Sequence, residues 1–143
     1  MRTTIIFIFI AFFLTRCGYL IDRQEEIITG NYISYFNEAP TCRAIAKPTG
    51  SNYAYVITGY IFAIGHEKEY IIAKRNPNPN CDFKVDTSKT EYFILQVDTL
   101  KSIEKKQYGP LDSHSFDSIR QQLNIQNIKF DLVYPRQPQV FAN

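Results

Sequence analysis

The sequence is poor in the residues that build metal centres, with two histidines, three cysteines and no tryptophan among 143 residues. A structural zinc site requires four Cys or His ligands at paired spacings, and the sequence contains no such set. His66, Glu67 and Glu69 are close enough in sequence to meet a metal in a loop. We interpret them as solvated turn residues instead, and we predict no metal and no cofactor.

Catalytic motifs are also missing. Ser113-His114-Ser115 suggests a hydrolase, but a nucleophile needs a base that a third group orients, and adjacent residues of one helical turn point in different directions. No glycine-rich phosphate loop follows a predicted strand. Lys74-Arg75 is interpreted as a solvated strand end rather than an anion site. We therefore predict that the protein is not an enzyme.

Neither sign of charge is in large excess. Sixteen basic and fourteen acidic residues give a net charge of +2. Arg2 and Arg16 lie in the N-terminal segment, so the chain without that segment is neutral. Nucleic-acid binding draws most of its affinity from clustered Lys and Arg against phosphates. We therefore predict no nucleic-acid partner.

The one long apolar run lies at the N-terminus, at residues 5–14 (IIFIFIAFFL), after a start with one positive charge. A cationic start followed by an apolar core of about 7–15 residues is typical of an export signal. A membrane span would need about 20 apolar residues. We assign residues 1–16 to a signal peptide.

The end of this run resembles the lipobox of bacterial lipoproteins, in which a cysteine carries diacylglycerol and, with it, fatty acids such as palmitate. Leu14, Thr15 and Cys17 match that pattern, whereas Arg16 stands where the family has a small residue. The resemblance implies lipid attachment at Cys17, with residues 17–26 as the lipidated cysteine and its tether. An ordinary signal peptide or an uncleaved anchor is the alternative.

Two cysteines are left once Cys17 is assigned to lipid. A disulfide between Cys42 and Cys81 is possible in an exported protein. It would close a loop of about 40 residues and stabilise the fold by about 4 kcal/mol in the chain-entropy model. Two unpaired thiols, one of them buried, are the alternative.

The composition favours β-structure, because the ten Tyr, eleven Phe and many Ile pack well on a pleated surface. Alternation predicts strands at residues 27–36, 42–47, 53–64, 70–75, 90–97 and 128–134, with weaker ones at 82–85 and 102–108.

Details of these strands are also predicted. Residues 30–31 are expected to form a bulge and residues 42–47 an edge strand. Residues 53–64 are apolar on both faces, as in a central strand, with a bend or close backbone approach at Gly59. Residues 65–68 should be the turn that follows, and residues 76–80 a rigid exposed loop.

One helix is predicted, beginning after Asp112 or Ser113 as N-cap. Phe116, Ile119 and Leu123 form one apolar stripe, and Asn124 is the predicted end. The expected architecture is α+β: a meander-like antiparallel sheet of about five to seven strands, with this helix packed on it. Residues 27–134 form the single domain, and residues 135–143 a loose tail.

Three groups of residues resemble a known family: YIFAIG at 60–65 with YIIAK at 70–74; YFI at 92–94; and YGPL at 108–111 with Phe116, Arg120, Leu123 and Ile125. The family comprises small uncharacterised bacterial lipoproteins, with one domain of unknown function behind a lipoprotein signal peptide. The similarity spans most of residues 27–125. It implies a location and a domain type, and no catalytic residue.

The leading hypothesis is an exported lipoprotein with a non-catalytic domain that binds or supports something in the cell envelope. Its ligand is unknown, and an envelope protein is one candidate partner. The lipid would anchor it to the cell membrane or the outer membrane, facing the periplasm or the cell exterior. One alternative is an immunity or exclusion lipoprotein that blocks a toxin or phage factor. A second is an unrecognised hydrolase, in which His66 or His114 meets carboxylates in a concave pocket.

Overall fold

The computed structural model describes residues 25–36, 39–78, 80–81, 85–101 and 103–134. Within these residues the fold is α+β, as predicted, with nine strands and one α-helix. The elements are β1 (Glu25–Thr29), β2 (Tyr32–Tyr35), β3 (Ala44–Thr49), β4 (Asn52–Ile57), β5 (Tyr60–Glu67), β6 (Tyr70–Asn76), β7 (Glu91–Asp98), β8 (Ile103–Leu111), α1 (Ser113–Gln122) and β9 (Leu132–Val133).

The strands form two antiparallel sheets rather than the single sheet expected. The first sheet has the order β1-β2-β3-β4, and the second has the order β8-β7-β6-β5-β9. The predicted signal peptide, Cys17, most of the predicted tether and the predicted tail at residues 135–143 lie outside the described residues, as do residues 82–84 of one weak strand. Glu25 and Glu26, assigned to the tether, belong to β1.

The first sheet corrects two predictions. Residues 27–36 are not one bulged strand, because Gly30 adopts φ +55° and turns the chain between β1 and β2. Residues 42–47 do not form an edge strand, since β3 pairs with β2 on one side and with β4 on the other. The edges of this sheet are β1 and β4.

The predicted central strand at residues 53–64 is divided between the two sheets. Gly59 adopts φ +116°, and a Cβ there would lie 3.1 Å from Cδ of Arg75. The bend expected at Gly59 is therefore confirmed, but the group that approaches it closely is the Arg75 side chain and not another backbone segment. What the apolar pattern did not indicate is that the chain leaves the first sheet as β4 and enters the second as β5.

Strand β5 of the second sheet extends further along the chain than predicted. The predicted turn at residues 65–68 is wrong, because β5 continues to Glu67 and pairs with Tyr70 of β6. A Cβ at Gly65 would overlap the backbone carbonyl oxygen of Lys129, so this strand position is one that only glycine fits. The last strand is short and pairs with β5 at Ala63 and Ile64.

Two layers of apolar side chains hold the fold together. Between the sheets lie Ile28, Tyr32, Ile45 and Ile57 from the first sheet, with Ile61, Ile64, Ile71, Ala73, Phe93, Leu95 and Val97 from the second. The helix covers the opposite face of the second sheet, as its apolar stripe predicted. There Phe116 is 2% exposed and packs with Ile72 and Ile94.

The helix ends are confirmed. Asp112 is the N-cap, and its Oδ1 accepts a hydrogen bond of 2.7 Å from the backbone N–H of Ser115. That bond lowers the pKa of Asp112. Asn124 follows the last helical turn with φ +57°, a conformation that ends helices.

Candidate functional site

The structure brings Cys42 and Cys81 together, although their segments are far apart in sequence. Cys42 ends a 3₁₀ turn at Pro40–Cys42, and its Sγ donates to the carbonyl oxygen of Cys81 at 3.6 Å. The two sulfurs are not bonded to each other. The predicted disulfide therefore stays a prediction, with its two residues placed side by side.

A buried amide fixes this contact. Asn78 is 4% exposed, and its Nδ2 donates to the carbonyl oxygen of Thr41 at 2.9 Å. The predicted rigid exposed loop at residues 76–80 is therefore wrong in part: Asn80 is exposed, but Asn76 ends β6 and is fully buried, as Asn78 nearly is. A buried amide that is hydrogen-bonded across two segments holds them in one arrangement.

Arg43, the residue after Cys42, is fully buried and lies between two aromatic rings. Its guanidinium carbon is 3.8 Å from the ring centroid of Tyr134 and 4.7 Å from that of Phe36. Its Nη1 donates to Oγ of Ser34 at 2.9 Å. Guanidinium groups favour such positions because the planar cation stacks on aromatic faces and is weakly hydrated.

The hydroxyl of Tyr134 extends this set of contacts to a carboxylate. It donates to Oε2 of Glu26 at 3.0 Å. Burial, assisted by the negative charge of Glu26 and opposed by Ser34 and Arg43, raises the pKa of Tyr134 to about 12. The hydroxyl is therefore a proton donor at all physiological pH values. We call Glu26, Ser34, Arg43 and Tyr134 the arginine cluster.

The arginine cluster joins the two ends of the described chain. Glu26 lies on β1, Ser34 on β2 and Arg43 just before β3, whereas Tyr134 follows β9. The backbone N–H of Tyr134 also donates to Phe62 on β5 at 2.9 Å. Because the cation is fully covered, the cluster can hold the last described residues against the first sheet, but it offers no open guanidinium to an anion.

A second polar contact bridges the sheets at Lys47. Its Nζ lies 3.0 Å from Oε1 of Glu104 on β8 and 5.6 Å from the ring centroid of Tyr32. Burial works to raise the pKa of Glu104, but the hydrogen bonds and charge of Lys47 outweigh it and lower that pKa. Burial, together with the charge of Glu104, raises the pKa of the Tyr32 hydroxyl. This ion pair stabilises the packing of the first sheet against the second.

The histidines lie in different surroundings. Nε2 of His66 is 3.9 Å from Oδ2 of Asp131, a carboxylate that the sequence analysis did not name. Glu67, beside it, accepts a hydrogen bond of 2.8 Å from Asn127. His114 is exposed in the first turn of α1. Within the described ranges, no group of three His, Cys, Asp or Glu residues is placed to hold a metal ion.

Two further observations concern the membrane and the pair Lys74-Arg75, which was predicted to be a solvated strand end. No helix among the described residues is both long and apolar enough to cross a bilayer. Lys74 is not an open strand end, because its Nζ lies 4.3 Å from the ring centroid of Phe130. Arg75 likewise binds Glu91 at 2.7 Å and donates to the carbonyl of Thr58.

Sequence reasoning missed the arginine cluster. Its one local signal was that Arg43 alternates onto the same side as Ile45, a buried residue. The partner rings come from Phe36 and Tyr134, and nothing near Arg43 in sequence indicates the second of these.

The chain matches a family model described as "Protein of unknown function (DUF3997)" over residues 19–134. No curated protein and no solved structure matches the chain. The matched region contains every residue that the structure describes, including the arginine cluster and helix α1.

Proposed function

Because this chain belongs to the family of proteins of unknown function DUF3997, we propose its function from its own features. It is an exported, membrane-tethered lipoprotein whose non-catalytic domain binds or supports a protein of the cell envelope. The lipid is attached at Cys17, and the domain faces the periplasm or the cell exterior.

The boundary of the family match carries this proposal. The match begins at residue 19, directly after Cys17-Gly18, and leaves the apolar run outside the family domain. A segment with a cationic start and a short apolar core, followed by a cysteine and then by a domain, is the arrangement of an anchored exported protein. A diacylglycerol brings two acyl chains, which gives stable anchoring where one acyl chain alone would bind only marginally.

The contacts of the charged residues support a non-catalytic domain. Arg43, Lys47 and Arg75 bind aromatic rings, a carboxylate on a neighbouring strand or a backbone carbonyl. Arg120 similarly donates to the carbonyls of Gln126 and Ile128 after α1. Each of these cations has a structural role, and catalysis would instead need groups aimed at an open site.

Fatty-acid labelling tests the anchor. Cells that express the full chain are fed a clickable palmitate analogue, and the protein is isolated and analysed by gel fluorescence. We expect label on the wild-type protein and none on Cys17→Ala. Label that survives this substitution, or a wild-type protein without label, would contradict the proposal. Cys81→Ala is the matched control and should keep the label.

Purified protein tests the non-catalytic domain. We expect no turnover of ester, peptide or glycoside probes above the background of the His66→Gln variant. Turnover that is lost in His66→Gln and kept in His114→Gln would instead favour a hydrolase built on the His66–Asp131 pair.

Crosslinking in intact cells, followed by purification of the labelled lipoprotein, then identifies the envelope protein that it contacts.

A further inference from the structure

Strand β4 forms an open edge of the first sheet. It pairs with β3 on one side, and among the residues that the structure describes no strand pairs with its other side. Within the same ranges, none of the backbone hydrogen bonds of turns and loops involves residues 52–57. An edge of this kind presents a row of free N–H and C=O groups to another chain.

The strand register shows which backbone groups of β4 are free. Pro48 lies opposite Tyr53. Because proline has no N–H, these two residues cannot form a pair that exchanges both backbone hydrogen bonds. Bonded and non-bonded pairs alternate along an antiparallel ladder, so Ala54 is bonded to Lys47, and Tyr55 again is not bonded to β3. The N–H and C=O groups of Tyr53 and Tyr55 therefore point away from β3, toward the open edge.

The side chains of these two tyrosines leave the edge clear. Their rings extend over the outer face of the sheet toward Tyr35, which lies on β2, beyond β3. The ring centroid of Tyr35 is 4.0 Å from that of Tyr53 and 6.5 Å from that of Tyr55. Val56, at an alternate position, packs against the core between the sheets. The backbone at the edge of β4 is therefore accessible to another strand.

Strand β4 also lacks the features that protect the other sheet edges. Charged side chains, proline and short length are the usual means by which an edge is kept from pairing with another chain. Strand β1 begins with Glu25 and Glu26, β8 contains three charged residues and Pro110, and β9 has only two residues. Strand β4 has six residues (NYAYVI), none of them charged and none of them proline. Among the described edges, it is the one best suited to pair with a further strand.

The edge of β4 is complementary to itself. Around a two-fold axis at Ala54, two β4 strands run antiparallel, and Tyr53 of each copy lies opposite Tyr55 of the other. The free backbone groups of both residues then face each other, so each pair can exchange both backbone hydrogen bonds. Cross-strand aromatic pairs add to such a contact. The small side chain of Ala54 lies on the axis, and no like charges are brought together because the strand has none.

We propose that β4 pairs with β4 of a second copy of this chain, which joins two four-stranded sheets into one continuous sheet in a symmetric dimer. This inference goes beyond the proposed function and does not depend on the lipid anchor. Each copy contributes a strand of six residues, whereas a stable interface has about 20–30 residues a side. The dimer should therefore form reversibly as the protein concentration rises.

Light scattering and amide hydrogen exchange test the pairing. The full chain is purified in detergent micelles, and its mass and the exchange rates of the Tyr53 and Tyr55 amides are measured at several concentrations. We expect the mass to rise from that of a monomer to that of a dimer, and the exchange of both amides to slow in parallel. A chain that stays monomeric would overturn the proposal, and so would amides that exchange slowly in the monomer.

Two substitutions of one residue separate the backbone from the side chain. Tyr55→Pro removes the free N–H and keeps the hydrogen bonds to β3, because that N–H points away from β3. Tyr55→Ala is the matched control, since it removes the ring and keeps the N–H. We expect Tyr55→Pro to be monomeric and Tyr55→Ala to dimerise. Equal dimerisation of the two variants would place the contact on another surface and overturn the proposal.

Circular dichroism checks that the variants fold. If Tyr55→Pro does not fold, Tyr55→Lys replaces it, because a lysine on an edge strand opposes pairing. Tyr55→Lys should be monomeric, and a dimeric Tyr55→Lys would overturn the proposal. Slow amide exchange that appears only when other envelope proteins are added would assign the edge to a different partner and would also overturn it.

Discussion

Arg43 and Tyr134 stack at 3.8 Å, guanidinium carbon to ring centroid, and they join the start of β3 to the last described residue of the chain. The cation is fully buried, and the hydroxyl of its partner reaches Glu26 on β1. The contact therefore links the first sheet to the residue that follows β9, a strand of the second sheet. Stability should depend on it more than on any surface ion pair.

Truncation of the buried cation should be costly. We expect Arg43→Ala to lower the free energy of unfolding by about 3–5 kcal/mol, because it leaves a void between two rings and leaves the buried hydroxyl of Ser34 without the guanidinium that donates to it. Arg43→Met fills much of that volume and should cost less. Urea denaturation followed by circular dichroism measures both. Lys105→Ala, at an exposed position on β8, should change stability by at most about 0.5 kcal/mol. An equal effect of Arg43→Ala and Lys105→Ala would contradict the structural role of the cluster.

The tyrosine of the cluster predicts a loss of stability in alkali. Burial raises the pKa of Tyr134 to about 12 from its ordinary value of 10.0. The folded protein therefore keeps this proton at a pH at which the unfolded chain has lost it. The resulting stabilisation is fully present below pH 10 and is lost as the pH rises toward 12. It amounts to about 3 kcal/mol at most.

Urea titrations at several pH values between 9 and about 12 measure this loss. Tyr134→Phe has no proton to release, so its stability should fall less steeply over the same range. The pKa of Tyr32 is also raised by burial, so some slope should remain in that variant. Identical slopes for Tyr134→Phe and the wild-type protein would show that the hydroxyl of Tyr134 does not stabilise the fold.

Local pattern predicted the strands and the helix better than it predicted their assembly. Strand β7 and helix α1 were found because alternation and an apolar stripe are local properties of the sequence. The division of residues 53–64 between two sheets was missed, since residues on both sides of Gly59 are apolar and read as one strand. Only the φ of +116° at Gly59 separates them.

The site residues show the same limit. Cys42 and Cys81 could be named because a spare pair of cysteines suggests a bond whatever the fold. The arginine cluster could not, because Arg43 looks like a solvated residue until Phe36 and Tyr134 are placed around it. Burial of a charged side chain depends on partners from distant segments, and a single sequence does not state those partners.

Phe116 should be the main anchor of helix α1. It is 2% exposed, and its ring centroid lies 4.8 Å from that of Tyr92. We expect Phe116→Ala to cost about 3–5 kcal/mol, measured by urea denaturation. Asp117→Ala is the matched control on the same helix. The Asp117 carboxylate is exposed, and its ion pair with Nη1 of Arg120 is long, at 3.8 Å. That control should change stability by at most about 1 kcal/mol. A small effect of Phe116→Ala would mean that the helix is dispensable for the sheet.

Gly65 should tolerate no side chain. A Cβ there would overlap the carbonyl oxygen of Lys129, which is backbone and cannot rotate away. We expect Gly65→Ala to cost about 3 kcal/mol or more, because β5 and the segment before β9 must separate. Gly50→Ala is the control, since no atom lies within 4 Å of its Cβ. It should cost about 1–2 kcal/mol, the strain of an alanine at φ +65°. Thermal unfolding of the two variants compares them, and equal losses would contradict the close approach at Gly65.

Under the proposed export, the neighbouring cysteines should form a disulfide. Cys42 Sγ already lies 3.6 Å from the carbonyl oxygen of Cys81, and the buried amide of Asn78 holds the two segments together. A disulfide oxidant in the compartment would accept the two electrons and two protons that the thiols release. The intact mass should then be lower by two hydrogen atoms than that of the reduced protein. Reduction should cost about 4 kcal/mol of stability, since the bond closes a loop of about 40 residues. Cys42→Ser and Cys81→Ser should each abolish the mass difference and should have the same stability with and without reductant. A wild-type protein isolated from the envelope with both thiols open to alkylation would show that the contact is only a hydrogen bond.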